Sequence, residues 1–366
     1  MIRFFLVAVI LLAGCGPKPV PVVDAGTDGG PARATDCLPP PLFVEDVSAC
    51  VAPATDYQPR VAGSANDPWP ACISDDNAYH PISANISSIA RITAFEQIAA
   101  LLWREARIPS AQDFIDARVL YAQAEGLDSR VQRREDVHFP APQSLDGGTA
   151  PKCSDVGVPE QFPDRCVGPA RLLPILNDAF ARGASGEAPR LHAARIEAAL
   201  LWFFYASALS EVTSCAARPQ DCDSAWAYYA GGTPRGAPIG LGGALWSLAP
   251  QTHQRAYDAM LAVRCWRNLD NETGAAANLT LQRQARDQLD RALVRGIAVI
   301  ARQRVAELAC SDAQGTQARL GFFRTIAPLL DREARVRDAG QADRLAVEPV
   351  DAGAVIQAID ALFPCP

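Results

Sequence analysis

The chain has 366 residues, 49 % of them hydrophobic, with 34 Lys and Arg against 41 Asp and Glu and a formal net charge of −7. This allows one large domain or two ordinary ones, with enough apolar material for a sizeable core. Lys18 and Lys152 are the only lysines, and no basic block is dense enough for a nucleic-acid footprint; RVQRRED at 130–136 mixes its signs as a solvated helix face does.

The chain opens with MIRFFLVAVILLAGCG. Arg3 precedes an apolar run from Phe4 to Ala13, too short to span a bilayer as a helix and of the length found in export signals. Leu12-Ala13-Gly14-Cys15 resembles the bacterial lipobox, in which the cysteine thiol is lipidated and becomes the new N-terminus. Residues 1–14 are therefore expected to be a lipoprotein signal peptide, with lipid on Cys15 as the link to the membrane. Gly16, in place of Asp, points to an outer-membrane anchor in the cell envelope. Residues 15–36 are rich in Pro, Gly and Asp and read as a flexible tether.

Residues 37–82 carry many prolines and three cysteines and read as an irregular, disulfide-pinned lead-in. Beyond Cys15 the chain holds an even ten cysteines, without the C-x-x-C or zinc-finger spacings, so an exported protein is expected to pair them. Short-range candidates are Cys37–Cys50, Cys153–Cys166 and Cys215–Cys222.

From Ser83 the pattern turns helical. Ile89, Ile92, Phe95, Ala99 and Leu102 recur at steps of three and four. Ser110 with Asp113 forms a capping-box-like start for a helix expected to run to about Arg134. A long Pro/Gly loop over 138–168 follows. Helical patterns then cover 170–182, 189–213, 219–230, 250–272, 278–310, 315–338 and 351–362. GLGGALW at 240–246 lacks the Lys-Ser/Thr of a phosphate loop and reads as a tight approach to the next helix. Period-two alternation is sparse. The expected class is all-α, a multi-helix bundle over 83–366.

The usual nucleophile and cofactor motifs are missing, and no catalytic residue is assigned. Glu135 and His138 in EDVH have the spacing of a di-iron pair, but only one such pair exists and Pro140 ends any helix there. The helix over 189–213 is apolar on every side around LLWFFY, as a helix in the middle of a bundle would be. Glu197, Leu201, Phe204, Ala208 and Glu211 share one of its faces. Glu96 lies in a comparable stripe. A buried carboxylate needs a partner: Arg, a Tyr hydroxyl or a metal. In CDSAWAYYAGG, residues 222–232, Trp226 and Tyr229 share a face expected to pack on the 189–213 helix. Gly231-Gly232 is expected to stop their own helix. Asp223 and Tyr229 could add oxygens near Glu211. Glu96, Glu197, Glu211, Asp223 and Tyr229 are thus the candidate ligands for iron or another hard cation, which favours carboxylate and phenolate oxygens.

RIEAALLWFFYASALSEV, followed by CDSAWAYYAGG, resembles the algal iron-assimilation (Fea-type) secreted proteins and their bacterial relatives. DFIDARVLYAQAEG at 113–126 and QARLGFFRTIAPLL at 317–330 are similar to further parts of that family. The resemblance implies an all-α extracytoplasmic protein of iron acquisition and carries no ligand set. LHAARIEAALLW is similar to the motif of imelysin-type lipoproteins, with His192 and Glu197 two residues further apart and no Gly. The resulting expectation is a lipid-anchored helical protein that binds iron. The alternative is a structural or protein-interaction lipoprotein without a metal.

Overall fold

The computed structural model describes residues 43–60, 69–123, 126–143, 150–270 and 276–366. The expected signal peptide, Cys15, the expected tether and Cys37 lie outside the described residues. All described residues belong to one unit, Leu38–Pro366. They form helices and no strand, so the all-α multi-helix reading holds.

The first helix, α1, spans Ser88–Leu102, and α2 spans Ala111–Gln123. The expected capping box is present at the start of α2. The Ser110 N–H and O–H each donate to Asp113 at 2.7 Å, and the Asp113 N–H donates back to Ser110 Oγ at 3.3 Å. This chain segment does not run on to Arg134 as one helix. Gly126 takes a left-handed φ of 73° and starts a separate short helix, α3, Leu127–Val131. A second short helix, α4, Val158–Gln161, lies inside the expected loop and is followed by a π turn, Gly168–Leu172.

The remaining helices are α5 Leu173–Ala184, α6 Pro189–Ser214, α7 Gln220–Ala230, α8 Leu241–Leu248, α9 Pro250–Asp270, α10 Leu279–Ala306, α11 Ala313–Arg337, α12 Ala339–Ala346 and α13 Ala352–Leu362. Helix α6 is the centre of the bundle. Every residue from Ala198 to Leu209 is buried, and α5, α7, α10 and α11 pack round it. That arrangement answers its unbroken apolar run: a helix hydrophobic on all sides is stable only when all sides are covered. Phe204 meets Phe95 of α1 edge-on at 5.0 Å. Two crossings are closed by glycine: a Cβ at Gly183 of α5 would lie 2.2 Å from the Phe114 ring of α2, and one at Gly321 of α11 would lie 2.2 Å from Leu191 of α6.

The described residues of the lead-in include a 3-10 turn, Ile73–Asp76, and are tied down at several points. Gln288 of α10 holds the Tyr57 backbone from both sides: its Oε1 accepts the Tyr57 N–H at 2.9 Å and its Nε2 donates to the Tyr57 carbonyl at 3.0 Å. The buried Glu45 carboxylate accepts from the Gln251 and Thr252 N–H groups at 2.7 and 3.2 Å. It thereby satisfies free donors in the first turn of α9, where a negative charge is also favoured by the helix dipole.

Two expected bridges form, Cys153–Cys166 and Cys215–Cys222. Cys50 does not pair with Cys37: it reaches Cys365 near the C-terminus, and Cys72 pairs with Cys265 of α9. Cys310 is disulfide-bonded as well. The lead-in is therefore pinned to the helical domain rather than to itself.

Candidate functional site

The five sequence-chosen oxygens do not converge. Glu96 on α1 is ion-paired with Arg104 and accepts the Gly240 N–H at 2.8 Å. Glu197 on α6 meets Arg304 of α10 at 2.8 Å. Burial pushes its carboxyl above the ordinary range, and the Arg304 charge opposes that shift. Glu211, at the far end of α6, meets Arg134 at 3.3 Å. The Arg134 guanidinium lies over the Phe203 and Tyr228 rings, 5.5 and 5.6 Å from their centroids. Each glutamate of the stripe argument thus has an arginine.

Asp223 and Tyr229 serve the fold in other ways. The Asp223 carboxylate accepts from the Ile82 N–H at 2.9 Å, the Ser83 N–H at 2.7 Å and the Tyr79 hydroxyl at 3.1 Å. It fixes the chain where the lead-in becomes helical. The Tyr229 hydroxyl lies 2.7 Å from His253 Nδ1, while His253 Nε2 lies 2.9 Å from the Arg235 carbonyl. The carbonyl can only accept, so Nε2 carries the proton and Nδ1 accepts from Tyr229. Burial keeps this imidazole neutral, with its pKa lowered to about 4.

The aromatic cluster of CDSAWAYYAGG also divides differently from the expected packing. Trp226 stacks on Tyr79 of the lead-in at 4.4 Å, and it is Tyr228 that packs edge-on against Phe203 of α6 at 5.7 Å. Tyr229 faces His253 of α9. Gly231 ends the helix with φ 74°, its N–H bonded to the Ala227 carbonyl. The stop thus falls where the sequence places it.

A different constellation lies between α6 and α11. His138 is held between two carboxylates: Nδ1 is 2.7 Å from Asp136 Oδ1 and Nε2 is 2.8 Å from Asp290 Oδ2. Burial disfavours the imidazolium, but these two hydrogen bonds override it and push His138 up to about 9. The Tyr205 hydroxyl of α6 donates to the other Asp290 oxygen at 2.7 Å. Arg332 of α11 stands 3.6 Å from Asp290 and 3.5 Å from Glu333. Both imidazole nitrogens are therefore protonated donors, and His138 has no lone pair with which to act as a base.

This network underlies a cleft of about 610 Å³, within the size range of small-molecule sites. Five stretches of chain wall it: Asp136 and Phe139, Asp164 and Arg171, Trp202 of α6, one face of α11 from Phe323 to Arg335, and Leu345 to Val350 at and beyond the end of α12. Four arginines and four carboxylates line it in equal number. Arg324 grips Glu348 with two hydrogen bonds, at 2.5 and 2.6 Å. Arg335 meets Asp331 and Asp343, both at 2.9 Å, and Arg171 pairs with Asp164. Pro328, inside α11, has no N–H, so the carbonyl of Arg324 one turn back receives no helical hydrogen bond. Trp202 is 4 % exposed, and its indole N–H is buried without an acceptor among the described residues.

The sequence contained a signal for part of this site. Asp290 in LDRALV sits one turn from Leu293 and Val294, both buried, the same pattern that singles out Glu197. The cleft itself left none, because its walls come from distant stretches. Among the described residues, no group of three or more His, Cys, Asp or Glu is placed to hold a metal ion. Nor is any helix among them long and apolar enough to cross a membrane. Searches against protein-family models, curated proteins and solved structures find no match to this chain.

Proposed function

We propose that this chain is a lipid-anchored binding protein of the cell envelope that holds a small organic ligand in the cleft between α6 and α11. The observation that carries the reading is the cleft's construction. Its size suits a small molecule, and two of its lining residues, Asp136 and Arg332, belong to an interlocked network with His138, Asp290 and Tyr205. Preorganised polar groups under a partly apolar cavity are the usual form of a binding site. The saturated imidazole leaves His138 without a lone pair to act as a base. The export-type N-terminus and the bridged cysteines support an extracytoplasmic setting.

Iron bound through Glu96, Glu197 or Glu211 would have to displace Arg104, Arg304 or Arg134, and a cation beside a guanidinium is opposed by it. The alternative of a protein without a metal at these carboxylates is therefore the better supported one. The test is thermal unfolding of the purified protein against fractionated small molecules from the envelope of the producing cells. A fraction that raises Tm for the native chain, and not for Phe139→Ala, supports the reading. If no fraction raises Tm, or all act equally on the variant, the reading fails. Near-stoichiometric iron retained through gel filtration, and lost in Glu211→Ala, would favour the metal instead.

A further inference from the structure

Resting on the reading of the α6–α11 cleft as a binding site, we infer that its ligand is an amphipathic organic acid, its carboxylate held by Arg332 and its apolar body against Phe139, Pro328 and Val350. Four arginines and four carboxylates line the cleft, but they do not pair one to one. Arg171, Arg324 and Arg335 each meet a carboxylate of the lining: Asp164, Glu348 and Asp331. The fourth carboxylate, Asp136, is taken by His138, which is not part of the lining and bonds it at 2.7 Å. Arg332 is left as the lining guanidinium with no carboxylate of the lining to meet it. The other three pairs are half-exposed, so water and salt screen what repulsion their carboxylates exert on an incoming anion.

The acidic neighbours of Arg332 outside the lining are already engaged. Asp290 accepts from His138 at 2.8 Å and from the Tyr205 hydroxyl at 2.7 Å, and stands 3.6 Å from Arg332. Glu333 serves Arg337 at 3.1 Å and reaches Arg332 Nη1 only at 3.5 Å. Tyr205 and Asp290 attract the guanidinium, but the tyrosine proton goes to Asp290. A guanidinium carries five N–H donors and no acceptor, so what it still needs is an acceptor, and an ionised one bonds it about twice as strongly as a neutral one. Nη2 is buried, facing Asp290. The side chain as a whole is 25 % exposed and lines the cleft, so the ligand meets it at Nη1, whose contact with Glu333 is only part-buried. Phe139, Pro328 and Val350 line the same cleft, and at about 610 Å³ it has room for an aryl or alkyl body behind the carboxylate.

The test is isothermal titration calorimetry with 3-phenylpropionate and hexanoate, each beside its primary amide. The expected result is saturable binding of at least one carboxylate, with its amide roughly tenfold weaker or more. Arg332→Gln should remove that preference, and Arg332→Lys, which keeps the charge, should retain part of it. The comparison of acid with amide on the native chain needs no variant and keeps the test open if Arg332→Gln folds poorly. Arg171→Gln removes a lining arginine that has its own partner and should change the carboxylate's affinity little. Equal or tighter binding of the amides would overturn the ligand class and leave the cleft as a site. A loss in Arg171→Gln as large as that in Arg332→Gln would assign the anion to the lining charge in general and overturn the role of Arg332. If neither carboxylate binds while envelope fractions still raise Tm through Phe139, the organic-acid class is wrong. If those fractions fail as well, the cleft is not a site.

Discussion

His138 and His253 are displaced in opposite directions from the ordinary histidine pKa of 6.5, one to about 9 and the other to about 4. For His138 the folded state binds its proton more tightly than the unfolded chain. Its contribution is whole below pH 6.5 and is lost as pH rises through 9. For His253 the unfolded chain binds the proton more tightly. Its contribution is whole above pH 6.5 and is lost as pH falls through 4. Each shift of some 2.5 units corresponds to up to about 3 kcal/mol. As far as these two groups determine it, stability peaks near pH 6.5. Urea unfolding from pH 4 to pH 9 should show that maximum. His138→Gln should flatten the alkaline limb alone, and His253→Gln the acid limb alone; a variant that lowered both limbs equally would contradict the assignment. Neither residue could be ranked this way from sequence. What separates them is whether carboxylates or a tyrosine and a carbonyl face the ring, and those partners lie on other helices.

At the scale of elements, the informative contact is the bridge from α6 to α10. Arg304→Met removes the cation from the part-buried Glu197 and should cost about 1–3 kcal/mol. Adding Glu197→Gln should return much of that loss, because the uncompensated charge disappears with it. A double-mutant cycle by chemical denaturation gives the coupling; no recovery in the double variant would mean that Glu197 has another essential partner. The sequence showed that Glu197 shares a stripe with Leu201 and Phe204, and so that it needed a partner. It could not show whether the partner was Arg or a metal, since Arg304 lies 107 residues away along the chain. Helix boundaries were most legible where the cue was local, as at Ser110 and Gly231. They failed where tertiary packing overrides local preference. Gly242 and Gly243 argue against a helix on propensity, yet α8 forms there, with Gly242 close against the Tyr229 carbonyl and Leu245 buried against Gly296 of α10.

For the molecule as a whole, the covalent framework divides by span. Cys153–Cys166 and Cys215–Cys222 close short stretches, 13 and 7 residues apart, and proximity along the chain was enough to suggest them. Cys50–Cys365 and Cys72–Cys265 join residues 315 and 193 apart, and only the assembled fold brings these together. Loop-closure entropy makes the long bridges the stronger constraint on the unfolded chain. In that model, removing Cys153–Cys166 costs about 3 kcal/mol and removing Cys50–Cys365 about 5–6. Paired Cys→Ser variants, compared by denaturant midpoint, should preserve that order; the reverse order would show that the native contacts near Cys50 loosen little when the link is cut.

The bridge between Cys50 and Cys365 also governs how the molecule bears load. Force applied upstream of Cys50 and at Pro366 passes directly across the sulfur–sulfur bond. The helices between them form a closed ring that a steady pull cannot unreel while that bond holds. A domain pulled at these two points would therefore keep its α6–α11 cleft undeformed for as long as that bond holds.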